Sequence, residues 1–220
     1  MNRIKYHNDR YYHIYNRGVD KRDVFLEDRD YFRFLEAMEL LNDKRDGLMI
    51  RWRDQKRNNP KTLFYDFLKE TFRNKNRLVD IIAYCLNPNH YHIILKQRSE
   101  DGIRRFMHKI GTSHTKYFNE KNRRTGILFQ GPFKSSPIKP NALLYVSAYV
   151  NCNCEVHGIA KAGNYRWCSF PEYLGKRNLS LCNKKVILDQ FRNRKEYFNF
   201  AKENIKAQKQ KKEDEKYLLE

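Results

Sequence analysis

The sequence predicts an α+β fold in which an antiparallel sheet carries helices packed on one face. Strand-like alternation and apolar runs are interleaved with segments whose apolar residues recur at helical spacing. The turn sequence Asn87-Pro88-Asn89 separates two apolar runs and favours a β-hairpin between them. At 220 residues, the chain is long enough for one well-buried domain with extensions, or at most two small domains.

The first strand and the first helix are predicted near the N-terminus. Tyr11–Asn16 alternates aromatic and polar residues, which predicts a strand closed by Arg17-Gly18. Asp28–Asn42 predicts a helix, because acidic residues occupy its first turn and apolar residues recur at helical spacing. The apolar stripe of this helix comprises Phe32, Leu35, Met38 and Leu41.

Asp43–Lys75 is strongly basic and irregular, and we interpret it as an insertion before the second strand. Trp52 stands between Arg51 and Arg53, an arrangement that would suit stacking on a nucleic-acid base. A solvated loop anchored by one tryptophan is the preferred interpretation. One short helix is predicted from Leu63, Phe64, Phe67 and Leu68.

The β-hairpin carries the strongest chemical signal. Val79–Leu86 is almost continuously apolar, which predicts a central strand buried on both faces, with His90–Gln97 as its neighbour. Residues i and i+2 of a strand share a face, so His90 and His92 should point the same way. Two imidazoles on a rigid strand suit half of a metal site, although packing is the simpler alternative. His13 could approach this site, but a structural role beside tyrosines is favoured.

Two helices and a bent strand are predicted in the second half of the chain. Gly102–Glu120 has an apolar face ringed by cations, and Ile127–Ser136 predicts a strand broken at Gly131-Pro132. Pro140–Asn153 predicts a third helix with proline at its start. Spacing of four places one stripe of polar side chains on this helix: Tyr145, Tyr149 and Asn153.

The C-terminal part is predicted to extend the domain. Asn164–Gly175 predicts a loop with buried aromatic residues, and Val186–Ile205 predicts a late helix. Ala207–Glu220 is rich in lysine and glutamate, which predicts a frayed or disordered tail. We therefore divide the chain into a domain of residues 1–175 and an extension of residues 176–220.

Composition points to a polyanionic partner. The chain has 45 Lys+Arg against 26 Asp+Glu, a formal net charge of +19. Such an excess favours nucleic acid, and no basic amphipathic helix with a strong apolar face supports a membrane surface instead. Five cysteines, an odd number, and no signal-peptide pattern predict a reducing cytosol. Cys152 and Cys154 are weak candidates for metal ligands, and no apolar run approaches the length of a membrane span.

If the third helix packs across the sheet near the paired histidines, the site acquires a nucleophile. Tyr149 becomes the candidate, and Asn153 becomes a third metal ligand. A phenol with a pKa near 10 is a poor nucleophile, and a divalent cation would help by polarising the phosphate under attack. Tyr145 and Tyr117 are rival nucleophiles.

Several motifs, in order along the chain, resemble one family. His90-Tyr91-His92 resembles the HUH motif, in which two histidines flank a bulky residue. The chain is similar to the REP-associated tyrosine transposases from about Tyr11 to Gly175. The similar segments are Leu86–Leu95, Arg123–Ser135, Tyr149–Gly158 and Tyr165–Ser169.

This resemblance implies a ferredoxin-like domain that nicks and rejoins single-stranded DNA beside a hairpin, a repetitive palindromic element, through a 5′-phosphotyrosine. It implies His90, His92 and Asn153 as ligands of Mg²⁺ or Mn²⁺, and Tyr149 as the nucleophile. It also implies a monomer or homodimer in the bacterial cytoplasm, associated with the nucleoid. The family usually has Asn-Pro where this chain has Asn153-Cys154, which affects the expected helix end. The cations expected to contact DNA are Arg17, Arg104, Arg105, Lys109, Arg123, Arg124 and Lys134.

Two other functions fit part of the pattern. A non-catalytic DNA- or RNA-binding module would use His90 and His92 only to contact phosphate. A metal-dependent hydrolytic nuclease would cleave without Tyr149.

Overall fold

The computed structural model describes residues 4–72, 76–177, 179 and 181–217, with side chains through residue 210. It is α+β, and its sheet is antiparallel, as predicted. The order of the strands across the sheet is β2-β3-β1-β4, the ferredoxin-like arrangement of a βαββαβ chain. The strands are β1 (Tyr11–Arg17), β2 (Val79–Asn87), β3 (His90–Gln97) and β4 (Lys134–Pro137).

Helices cover both faces of this sheet. The helices of the first half are α1 (Asp28–Leu40), α2 (Leu48–Asn58), α3 (Phe64–Thr71) and α4 (Gly102–Lys121). Those of the second half are α5 (Leu143–Asn151), α6 (Asn153–Val156), α7 (Phe170–Tyr173), α8 (Lys185–Leu188) and α9 (Arg194–Tyr217). None of the described helices combines the length and apolar character needed to cross a bilayer.

The prediction that helices pack on one face holds for α1 and α4 and is wrong for α5 and α9. Side chains of α1 and α4 share a core with one face of the sheet, including Ile14 and Ile93. Side chains of α5 and α9 share a second core with the opposite face, including Ile94. Strands β2 and β3 are apolar on both faces, so each face requires a covering layer.

Strand β2 lies at the edge of the sheet, so the prediction of a central position is wrong. Its residues are nevertheless buried throughout, as the apolar run predicted. Residues around Cys168 and Cys182 cover the outer edge with backbone contacts, through bridges of Cys85 with Cys168 and of Ile81 with Cys182. The Leu86 amide also donates to the Trp167 carbonyl at 2.9 Å. The continuous apolar pattern therefore reports burial and not a central place in the sheet.

The insertion is more regular than its sequence indicated, because it forms α2 and α3 instead of a loop with one short helix. Trp52 is 7% exposed and packs between Phe64 and Phe67, with ring centroids 5.2 Å away in each case. The ring is thus part of a small apolar core and is not presented for stacking on a base. Lys109 ties the insertion to α4, since its Nζ donates to the Asp43 carbonyl at 2.9 Å and pairs with Asp46 at 2.7 Å.

Other boundaries also differ from the predictions. The bent strand predicted at Ile127–Ser136 is regular only in β4, because the glycine and proline before it interrupt pairing. The predicted loop at Asn164–Gly175 contains the short helix α7. The late helix starts at Arg194 and runs to Tyr217. The prediction of a frayed tail from Ala207 is therefore wrong up to Tyr217. The remaining residues of the predicted tail lie outside the described part, and the division at residue 175 stays a prediction.

A buried histidine on α4 makes the fold sensitive to acid. The ring of His114 is 2% exposed and its Nε2 donates to the Val24 carbonyl at 2.8 Å. Burial lowers the pKa of His114 from 6.5 to about 4, although the bond to Val24 opposes the shift. The folded protein therefore keeps this ring neutral, while the unfolded chain takes up a proton below pH 6.5. Stability is fully present above that pH and is lost as the pH falls toward 4.

We predict that His114→Gln flattens the pH dependence of stability. Wild-type protein should lose about 2 kcal/mol of unfolding free energy from this ring between pH 7.5 and 5.0, and the variant should not. Urea unfolding at the two pH values measures the difference. His108→Gln, on the exposed face of the same helix, is the matched control and should behave as wild type. An unchanged slope in His114→Gln would contradict the assignment.

Candidate active site

An open cleft of about 330 Å³ lies where β1, β3 and α5 meet. It is the meeting point of the histidine pair and the tyrosine that the sequence singled out. Two cationic side chains, Arg17 and Lys134, line the cleft, which suits a phosphate-containing ligand. Its lining residues are Tyr15, Asn16, Arg17, His90, His92, Gln130, Lys134, Tyr149 and His157.

The register of the central strands brings these side chains to one face. In the pairing of β1 with β3, Arg17 lies opposite His90 and Tyr15 lies opposite His92. Cross-strand partners and residues two apart share a face of the sheet, so the four side chains converge. Lys134 of β4 pairs with Tyr15 and extends the same surface. The prediction that His90 and His92 point the same way is thus confirmed.

His90 is held by asparagines on both ring nitrogens. Its Nδ1 lies 2.6 Å from Asn89 Oδ1, so Nδ1 carries the proton and donates it to this amide oxygen. Its Nε2 lone pair accepts from Asn87 Nδ2 at 2.8 Å and lies 3.2 Å from Asn153 Oδ1. Asn89 therefore fixes the tautomer whose unprotonated nitrogen faces Asn153, the protonation state that a metal-binding imidazole requires.

His92 is supported in a similar way by His13. The two rings are joined by a hydrogen bond of 2.8 Å between His13 Nε2 and His92 Nδ1. Burial lowers the pKa of His92 well below its ordinary value, with further contributions from three neighbouring histidines, and burial lowers the pKa of His13 to about 4. Both rings are therefore neutral near pH 7. The structural role expected for His13 takes the form of a contact that orients His92.

The donors at the cleft fit a divalent cation. His90 Nε2 and Asn153 Oδ1 are 3.2 Å apart, close to the separation of about 3 Å expected for adjacent ligands with bonds near 2.1 Å. Asn87 Nδ2 donates to Asn153 Oδ1 at 2.6 Å, which helps to hold the Asn153 amide with its oxygen toward His90. Among the described residues, no group of three His, Cys, Asp or Glu side chains is arranged for a metal ion. The predicted ligands are instead two imidazoles and an amide.

Tyr149 lines the cleft beside the histidines of its own chain. Its ring centroid lies 5.6 Å from that of His92 and 5.9 Å from that of His13, with edge-on geometry in both cases. Burial raises the pKa of Tyr149, while a hydrogen-bond interaction with the Asn153 side chain opposes the shift. The phenol is neutral at physiological pH and must lose its proton during any attack.

The two rival tyrosines lie outside the cleft. Tyr145 is 58% exposed and packs against Phe200, with the centroids 5.2 Å apart. Tyr117 belongs to α4 on the other side of the sheet, where its hydroxyl donates to Asp30 Oδ1 at 2.9 Å. Burial and that carboxylate raise the pKa of Tyr117 to about 12. Neither phenol is placed for chemistry at the histidine pair.

The seven cations expected to contact DNA separate into two groups. Arg17 and Lys134 are exposed and line the cleft. Lys109 serves the insertion, as described above, and Arg105 donates to the Lys44 carbonyl at 3.2 Å. The other three are away from the cleft: Arg104 pairs with Asp101, Arg123 is exposed after α4, and Arg124 bonds Asn119 and Ile127.

Sequence reasoning missed several members of the cleft. His157 stacks edge-on against His90 with centroids 4.9 Å apart, and it continues the spacing of four from Tyr149 and Asn153. Asn87 and Asn89 were interpreted only as turn residues. Tyr15 could have been found, because alternation along β1 places it beside His13.

The end of α5 accounts for the departure from the Asn-Pro pattern. The helix ends at Asn151, and Asn153 opens the single turn of α6. Cys152 and Cys154 are fully buried in the core beneath α5 and do not line the cleft. The helix is interrupted at Cys152 without a proline, and Asn153 is still directed at His90.

Comparisons with known proteins identify one matching family profile and one solved structure of similar fold. The profile of the family described as "Transposase IS200 like" matches residues 48–153, which include both histidines, Tyr149 and Asn153. A solved structure of a REP-associated tyrosine transposase bound to a REP hairpin is similar in fold, with a TM-score of 0.51 and 14% identity. The similarity covers 83% of this chain and 96% of that chain. No curated protein sequence matches the chain.

Proposed function

We propose that this chain, whose residues 48–153 match the family described as IS200-like transposases, cleaves and rejoins single-stranded DNA through a phosphotyrosine intermediate. One observation carries the proposal: Tyr149 lies in the same cleft as His90 and His92 of its own chain. A nucleophile, a candidate cation site and two cations for phosphate are thereby gathered at one point.

The reaction is a transesterification in which Tyr149 exchanges bonds with DNA. Its Oη attacks the phosphorus of one phosphodiester, the new bond links tyrosine to the 5′ phosphate, and the bond to the 3′ oxygen breaks. The phenolic proton is transferred through water to the departing 3′ oxygen, which leaves as a hydroxyl. A 3′ hydroxyl later attacks the phosphotyrosine, restores a phosphodiester and releases the phenol, so bond energy is conserved without hydrolysis.

His90, His92 and Asn153 are the residues proposed to hold Mg²⁺ or Mn²⁺. When bound, the cation polarises the scissile phosphate and stabilises the charge that develops on it. The mixed nitrogen and oxygen donors favour Mn²⁺ at least as much as Mg²⁺, which prefers oxygen. His92 is neutral, and the tautomer of His90 directs an unprotonated nitrogen toward Asn153, as this role requires.

The proposed DNA is single-stranded and carries a hairpin. The REP hairpin bound by the similar structure suggests this class of ligand. Arg17 and Lys134 flank the cleft on neighbouring strands, and we assign them to phosphates on either side of the scissile one. Five other cations lie away from the cleft, so any contacts they make would be with DNA farther from the scissile phosphate: Arg104, Arg105, Lys109, Arg123 and Arg124.

Tyr149→Phe should abolish covalent attachment to DNA. A hairpin-bearing oligonucleotide labelled at its 3′ end should give a labelled protein adduct with Mn²⁺, resolved on a denaturing gel. We expect the adduct to fall by roughly three orders of magnitude or more in the variant, because the attacking hydroxyl is removed.

Tyr145→Phe, on the same helix, is the matched control and should keep the adduct. Equal DNA binding by wild type and Tyr149→Phe with no adduct in either would support a non-catalytic module. Cleavage that survives in Tyr149→Phe would support a hydrolytic nuclease.

Removal of the cation should stop the reaction. With EDTA, and in His90→Ala or His92→Ala, we expect the adduct to fall by about 100-fold or more, because the phosphate loses its polarising ion and its ligands. Added Mn²⁺ should restore the EDTA-treated wild type. His108→Ala, outside the cleft, should react as wild type. Adduct formation that is equal in EDTA would exclude a metal role.

The double variant Arg17→Gln with Lys134→Gln should bind single-stranded DNA less tightly and with a weaker salt dependence. Loss of two phosphate contacts should reduce the slope of log K against log salt by about 1.4. Fluorescence anisotropy at several salt concentrations measures this slope. Lys185→Gln, an exposed cation on α8, should leave the slope unchanged, and an unchanged slope in the double variant would remove both residues from the interface.

A further inference from the structure

Asn87 occupies the most enclosed position beside the proposed cation site. It is the last residue of β2, it is fully buried, and it pairs directly with His90 across the turn of the hairpin. Cross-strand partners share a face, so its amide lies beside the His90 ring for reasons of backbone register alone. The backbone of the hairpin therefore holds the Asn87 amide against the His90 ring.

The amide nitrogen of Asn87 donates to both proposed ligands. Its Nδ2 lies 2.8 Å from His90 Nε2 and 2.6 Å from Asn153 Oδ1, and it satisfies one lone pair on each. His90 Nε2 has a single lone pair, so its hydrogen bond from Asn87 and cation binding are mutually exclusive. The Asn87 amide must therefore reorient before His90 becomes available as a ligand.

Rotation of the amide exchanges its nitrogen for its oxygen without a change in shape. In that orientation Oδ1 of Asn87 would face the oxygen of Asn153, and two carbonyl oxygens repel each other unless a positive charge lies between them. The rotated state is thus favoured only with a cation present. Rotation would also break one weak hydrogen bond, which Cys85 Sγ donates to Asn87 Oδ1 at 3.5 Å.

We propose that Asn87 is a further oxygen ligand of the cation site and a positioning residue for it. Its amide nitrogen keeps His90 and Asn153 together without a cation, and its amide oxygen completes the set when a cation binds. This inference rests on the proposed function and adds a residue to its site. Asn89 has a different role, because its oxygen is engaged with His90 Nδ1 and faces away from the ligand lone pairs.

Two substitutions test the proposal through Mn²⁺ binding to the DNA-free full-length chain, measured by isothermal titration calorimetry. Asn87→Leu keeps the volume but removes the oxygen, and its Kd for Mn²⁺ should rise by about 10-fold or more. Asn87→Asp supplies an oxygen with negative charge and should lower the Kd by about 10-fold or more. Asn42→Leu removes another buried amide, one that follows α1 and bonds the Val79 backbone at the far end of β2, and it should leave the Kd unchanged.

Thermal unfolding provides a second readout. Asn87→Asp lacks the donor that links His90 to Asn153, so its Tm without metal should be lower and its rise with Mn²⁺ should be larger than in wild type. A Kd unchanged in Asn87→Leu would overturn the proposal. An Asn87→Asp variant that binds Mn²⁺ no better than wild type would show a purely structural amide and would also overturn it, as would a wild type that binds no Mn²⁺.

The outcomes separate this inference from the proposed function. Asn87-dependent Mn²⁺ binding with no DNA adduct in wild type would overturn the transposase chemistry alone. A metal-dependent, Tyr149-dependent adduct with Mn²⁺ affinity indifferent to Asn87 would overturn the ligand assignment alone.

Discussion

The cleft depends on a single pairing, that of Asn87 with His90 across a turn of two residues. The shortness of this turn fixes the register of β2 against β3, and a slip of one residue would turn both histidines to the other face. Pairing of β3 with β1 then brings His13 and Arg17 to the same surface. Backbone hydrogen bonds, which have no chemistry of their own, therefore determine where the reactive groups meet.

Helix α9 packs against α5, the helix that carries Tyr149, on the side away from the sheet. The Tyr197 hydroxyl of α9 accepts from Asn151 Nδ2 at 2.7 Å, and the Tyr197 ring is fully buried in the second core. The late helix thus braces the layer that presents the phenol to the sheet. A ferredoxin-like sheet with only one helical layer would leave Tyr149 without this support.

Much of the fold could be predicted from local pattern. The four strands and the helices α1, α4 and α5 were found because their apolar residues recur at strand or helix spacing. The edge position of β2 could not be found, since burial by a covering loop and burial by a strand give the same apolar run. Helix α2 was also missed, because the small core around Trp52 depends on contacts between segments and not on periodicity.

The site was predictable where a motif or a spacing existed, and not where contact alone defines it. His90, His92, Tyr149 and Asn153 followed from motifs, and the structure brings them together. Asn87 carries no signal beyond its place in a turn, so its contacts become visible only when strands and helix are assembled. Positive charge was the poorest predictor of site residues. Lys109 was predicted to contact DNA because it is a cation on α4, but it bonds Asp43 and Asp46 of the insertion instead.

The covered edge of β2 has a consequence for assembly. Backbone groups near Leu86 are already engaged by the segment that follows α6, so a second copy cannot extend the sheet on that side by strand addition. The opposite edge is β4, which offers only 4 residues to a new strand. Extension of the sheet by a second copy is therefore limited to that short strand.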